Sequence, residues 1–176
     1  MNQSVRVTCG RIEELLGKSH AFRKVDACFY LVRQGSAYIH IHVVPWEGRA
    51  SHAAGGPPGR ALVRFVAQLA RGVEMNPDLA IRLLRLNATL RFGSFGWVRE
   101  GSCVTLQHTL LGGPALDGDE LLATLRDLAV LADEYDDRIV ADAGGQTMQT
   151  IVEEHELAAM RDAVLGEVAW EPAKEK

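Results

Sequence analysis

Residues 76–111, NPDLAIRLLRLNATLRFGSFGWVREGSCVTLQHTLL, read as one short helix followed by one hairpin. Asn76 suits an N-cap and Pro77 the first helical position, where a missing N–H costs nothing. Leu79, Ala80, Leu83 and Leu84 recur at helical spacing, so one face is apolar. After Thr89 the texture changes. Leu90, Phe92, Phe95 and Trp97, then Cys103, Thr105 and Gln107 alternating with Val104, Leu106 and His108, suit strands. Arg99-Glu100-Gly101-Ser102 makes the turn between them. Such a segment builds a surface rather than a catalytic cage. Phe92, Phe95 and Trp97 are the candidate binding residues. Plain core is the competing reading of the three, because large aromatics usually fill cores. Phe92 and Phe95 are an odd number of residues apart, so one strand cannot bury both on one face without a bulge, which Gly93 or Gly96 could supply. One of these rings is therefore expected to face out.

Upstream, residues 11–17 predict a short helix stopped by Gly17. Val25, Ala27, Phe29 and Leu31 then share one strand face, and Gln34-Gly35-Ser36 signals a turn. Beyond it Tyr38, His40 and His42 alternate with Ile39, Ile41 and Val43, completing a hairpin. Residues 47–60, EGRASHAAGGPPGR, predict a long loop. Residues 61–73 carry a helical stripe and a strand alternation equally well, and local pattern does not decide between them.

Downstream, residues 117–142 predict the strongest helix. Asp117 or Asp119 can cap it, and Leu121, Leu122, Leu125, Leu128, Ala129, Ala132, Tyr135 and Ile139 line one face. Gly144-Gly145 ends it, and residues 147–165 predict a second, weaker amphipathic helix. The tail after Gly166 is expected to fray.

The chain has 176 residues, 47% of them hydrophobic and 24% charged, which is ordinary for a globular protein. No apolar run approaches the roughly 18–20 residues that cross a bilayer. No export signal is visible at the N-terminus. Cys9, Cys28 and Cys103 are odd in number and widely spaced, which predicts thiols in a reducing cytoplasm. Residues 1–116 carry fourteen Lys/Arg against seven Asp/Glu, whereas residues 117–176 carry five against sixteen. Such asymmetry suits a partner-binding polarity or a self-complementary assembly, and equally a basic sheet and an acidic helix that attract each other within one fold. The arginines are scattered without a nucleic-acid motif, so neither nucleic acid nor membrane is expected as a partner.

His40 and His42 lead the candidates for chemistry. Period two places both rings on one strand face, where they could share a metal, but no third ligand is fixed by spacing. The run Tyr38–Val44 also looks like a histidine-triad hydrolase motif in which Tyr38 replaces the first histidine and His40 would be the nucleophile. The rest of the chain carries no match to that family. The cluster Asp133-Glu134-Tyr135-Asp136-Asp137 reads as a solvated helix face, since consecutive helical residues do not converge. No cofactor is called for by any of these residues. The alternative reading is therefore a hydrolase or metal-binding protein using His40 and His42.

Two phrases carry a resemblance: LLRLNATLRFGSFG at 83–96 and LADEYDDRIV at 131–140, patterns of apolar spacing with an Asn-x-x-Leu and a Phe-Gly. Both resemble the YbjN-like family, whose fold is similar to class I type III secretion chaperones. The match covers residues 61–142 and extends from residue 22. The resemblance implies an α+β fold: an antiparallel sheet of about five strands packed on helices in α-β-β-β-α-β-β-α order, plus an extra C-terminal helix. It decides 61–71 for strand. It further implies a cytoplasmic, non-enzymatic homodimer that holds a protein or peptide partner by strand addition or an apolar groove. Residues 1–143 would form the chaperone-like domain and 144–176 a helical extension with a frayed tail. The 47–60 loop and the 147–165 helix depart from the family pattern.

Overall fold

The computed structural model describes residues 2–46 and 60–167. The predicted loop at 47–60, apart from Arg60, and the predicted fraying of the tail, apart from Glu167, fall outside the described residues.

Helix α1 (Gln3–Leu16) starts where Asn2 accepts a hydrogen bond from the Val5 N–H at 2.8 Å. Val5, Thr8, Cys9, Ile12 and Leu16 form its buried face. The helix thus starts eight residues before the predicted start at residue 11. Gly10 does not break it, because that position faces open space and the helix needs only buried neighbours on either side. Strands β1 (Phe22–Asp26) and β2 (Phe29–Gln34) replace the single predicted strand through 25–31. Asp26 Oδ1 accepts from the Ala27 N–H at 2.7 Å and helps fold the chain back within two residues. The alternation Val25, Ala27, Phe29, Leu31 spans this turn by coincidence, and the residues that point into the core are Tyr30 and Val32.

Strand β3 (Ala37–Pro45) buries Ile39, Ile41 and Val43 as its alternation predicts. Strand β4 (Ala61–Arg71) lies between β3 and β6 (Cys103–Leu111) at the centre of the sheet. Val63, Phe65, Ala67 and Leu69 face the core, while Leu62, Val66 and Gln68 are half-buried on the other side. Two paired neighbours select the strand over the equally good helical stripe. Helix α2 (Pro77–Asn87) leads to β5 (Ser94–Val98), which pairs with β6. Helix α3 (Gly118–Ala143) is capped by Asp117, and β7 (Gln146–Thr147) leads into α4 (Met148–Glu167).

The sheet runs β1-β2-β3-β4-β6-β5, all antiparallel, with β7 added at the end of β4. The expected α+β fold and extra C-terminal helix are present, with seven strands among the described residues because residues 22–34 form two and Gln146–Thr147 adds a short one. Helices α1 and α3 cover one face, over Ile12, Leu121, Leu128 and Ile139. Helix α4 lies against the opposite face. Its Met148, Val152 and Glu156 line a cavity of about 590 Å³ with Leu31, Tyr38 and His40, which alternate with the inward residues. The basic and acidic parts of the chain meet inside the fold, through Arg82 with Asp142 and Arg91 with Asp127.

One carboxylate of the acidic cluster departs from its expected solvated position. Asp136 is only 5% exposed, because the β2–β3 turn lands on α3 there. Ser36 Oγ donates to Asp133 Oδ1 at 2.5 Å and lies 3.1 Å from Asp136 Oδ2. Burial pushes the Asp136 pKa up, against the pull of the Asp137 N–H and Ser36. The fold therefore binds a proton at Asp136 more readily than the unfolded chain does. The resulting stability is present below the unfolded pKa of about 3.9 and is lost as pH rises through the raised folded value. Asp133 is shifted down by Ser36 and works in the opposite sense, but it is solvent-exposed and screened. Asp136→Asn keeps an acceptor and removes the buried charge. Thermal unfolding from about pH 4 to about pH 8 should show the variant gaining on the wild type as pH rises. A variant uniformly weaker by more than about 1 kcal/mol would mean that the charge itself is needed.

Candidate functional site

Helix α2 and strand β5 are tied by one side chain. Asn76 accepts from the Leu79 N–H at 2.9 Å and starts the helix, and Leu79 and Leu83 anchor it in the core. Three turns later Asn87 reaches the sheet edge. Its Oδ1 accepts from the Phe95 N–H at 2.6 Å and its Nδ2 donates to the Phe95 carbonyl at 3.1 Å. The amide thus stands in for a neighbouring strand at one residue. Phe95 pairs with Leu106 and Trp97 with Val104. In an antiparallel ladder, alternate residues turn their main-chain groups the same way, so Trp97 also faces the outer edge.

The three aromatic candidates part company here. Phe95 is 6% exposed, and its ring meets Tyr135 edge-on at 5.4 Å. Its burial matches the competing core reading of this ring and leaves it little surface for a partner. Phe92 lies in the bend before β5, half-buried and edge-on to His108 at 5.5 Å. Trp97 is 41% exposed beside Val98. No bulge separates Phe92 from Phe95; the chain changes direction at Gly93, whose φ is +81°. A Cβ there would sit 2.9 Å from Leu128 Cδ2 and 3.1 Å from the Gln107 carbonyl oxygen. The Gly93 N–H donates to His108 Nδ1 at 3.1 Å. Burial lowers the His108 pKa, which keeps that nitrogen a neutral acceptor.

Helix α2 also presents an apolar side chain to solvent. Leu84, one turn before Asn87, lies on the adjoining helix face and is 67% exposed. Ala80 continues this face and is half-buried. Sequence reading missed Asn87, although the Asn-x-x-Leu phrase marked its position.

His40 and His42 do share a face, as expected, but their rings turn to Phe29 at 5.3 and 5.7 Å. Burial lowers the His40 pKa, and no hydrogen-bonded base orients it among the described residues. His108 pairs with the inward Phe65, so it projects from the opposite face of the sheet. Among the described residues no three His, Cys, Asp or Glu side chains converge as a metal site, and His52 lies outside them. The hydrolase and metal readings therefore find no support.

An antiparallel sheet with a partly plugged edge, flanked by exposed apolar side chains, is the architecture of a binding scaffold. The family described as TY-Chap1, T3SS (YopN, CesT) and YbjN peptide-binding chaperone 1, matches residues 3–151, and the chain belongs to it. The resemblance read from 83–96 and 131–140 is borne out over this longer span. A search of curated proteins gives no match.

Proposed function

We propose that this protein is a non-enzymatic, chaperone-like module that holds an extended peptide segment of a partner protein along β5. The carrying observation is the edge itself: Asn87 closes it at Phe95, and the exposed Trp97 lies next along it. Main-chain pairing at Trp97 would supply affinity, and alternate side chains would meet the apolar flank. Phe92 acts here only by supporting the bend. Support for a peptide ligand comes from membership of a peptide-binding family.

The same proposal places the protein in the cytoplasm as a homodimer. Leu157 and Met160, each 66% exposed on α4, are exposed apolar residues in support of assembly. Among the described residues no helix is long and apolar enough to cross a membrane. Residues 1–143 carry the peptide surface, and the extension that begins at 144 lays the start of α4 on the far face.

A phage-displayed random peptide library tests this reading. Selection should enrich peptides with alternating apolar residues, and Trp97→Ala should weaken the best of them at least about tenfold, roughly 1.4 kcal/mol, with an unchanged melting midpoint. Light scattering of the same samples should give the mass of two chains. Undiminished binding by a folded Trp97→Ala protein would remove β5 as the site.

A further inference from the structure

We propose that Cys9 and Cys28 form a reversible disulfide that pins helix α1 to the β1–β2 turn, with a small-molecule disulfide such as oxidised glutathione as the oxidant. Their sulfur atoms lie 3.2 Å apart although the residues are 19 positions apart in the chain. Cys9 is buried on the core face of α1 and Cys28 is half-buried in the turn. The turn is itself held, since the Cys28 carbonyl accepts from the Val43 N–H of β3 at 2.9 Å. A disulfide bond is about 2.05 Å long, so closure needs little more than a side-chain rotation. The seam already carries non-covalent ties. Glu13 on α1 accepts from Lys24 Nζ of β1 at 2.7 Å and from the Tyr30 hydroxyl of β2 at 2.9 Å. Cys103 is buried on β6 with Val104 O as its acceptor, on the sheet face away from α1, and serves as an internal control.

The exchange balances without further reactants. Cys28, the more accessible thiol, loses its proton to solvent and attacks one sulfur of the small disulfide. That S–S bond breaks and one glutathione thiolate leaves, taking a proton from water. Cys9 then attacks Cys28 Sγ in the mixed disulfide, its proton passes to solvent, and the second glutathione leaves as a thiol. Two protein thiols are oxidised and one small disulfide is reduced to two thiols. Burial pushes the Cys9 thiol up to about 11, which suits the resolving partner rather than the first nucleophile.

The full chain, incubated with oxidised glutathione, should lose the mass of two hydrogen atoms and yield one peptide linked through Cys9 and Cys28. Its melting midpoint should rise by roughly 5 °C and return on reduction with dithiothreitol. Cys28→Ser, a change at a half-buried position, should abolish both effects, and Cys103→Ser should abolish neither. The proposal is overturned by an unchanged mass, by a glutathione adduct that persists on folded protein, or by a link through Cys103 or between two chains.

Discussion

Asn87→Ala lowers the stability of the folded chain by about 2–4 kcal/mol, far more than a half-buried polar residue usually commands. The expectation rests on two main-chain groups rather than on Asn87 itself. Its amide satisfies both the N–H and the carbonyl of Phe95, and the ring of Phe95 is locked against Tyr135. Each net hydrogen bond contributes about 1 kcal/mol, and each group left without a partner costs about 1–3 kcal/mol where water cannot replace the amide fully. Asn87→Asp separates the two contacts. It keeps the acceptor for the N–H but sets a carboxylate against the Phe95 carbonyl, so it should recover little of the loss. Urea denaturation of the two variants and wild type reads both differences. A loss below about 1 kcal/mol for Asn87→Ala would show that water replaces the amide at the edge. The same side chain limits where a peptide can pair, since an added strand meets a filled position at Phe95 and an open one at Trp97.

What the sequence made legible follows from local chemistry. The caps of α2 and α3, at Asn76 and Asp117, and the alternation of β3 depend on neighbours within a few residues. The β1–β2 turn was illegible because Asp26-Ala27-Cys28 carries no glycine or proline, and an apolar alternation runs across it. The first turns of α1, before residue 11, were not legible because glycine at position 10 costs a helix about 1 kcal/mol, whereas α1 is held by Val5, Cys9 and Ile12 on both sides of it. The burial of Asp136 depends on Ser36, a hundred residues away, and no local pattern contains that contact. At the candidate site, spacing found the aromatic cluster but could not sort it. Phe95 and Trp97 share a sheet face, and only the position of α3 decides that the first is buried and the second exposed. Asn87 was visible as a motif letter but not as a strand mimic, because its role exists only once α2 meets β5.

Gly145→Ala is expected to detach β7 and α4 from the sheet while leaving β1–β6 folded. Gly144 and Gly145 have φ of +70° and +90°, so both take a conformation that favours glycine. Their surroundings differ. A Cβ on Gly144 would meet open space, whereas one on Gly145 would run into the Arg71 carbonyl oxygen and lie 3.0 Å from Gly72 C and 3.1 Å from Val73 N. These are main-chain atoms at the end of β4, where Arg71 pairs with Gln146 and Ala70 with Thr147. Backbone cannot turn aside as a side chain can, so the segment carrying β7 must move off and lose that pairing. Gly144→Ala should cost about 1 kcal/mol, from strain alone, and Gly145→Ala about 3 kcal/mol or more of local stability. Hydrogen exchange distinguishes local from global loss. Protection at 146–152 should collapse in Gly145→Ala and survive in Gly144→Ala, with the amides of β3, β4 and β6 unchanged in both. Equal protection in the two variants would mean that the close approach to Arg71 is not what holds the extension. Release of α4 would also uncover Tyr38 and His40 on the far face while leaving the β5 edge as it is. Peptide binding by Gly145→Ala therefore separates a site on that edge, which it should preserve, from one beneath α4, which it should enhance.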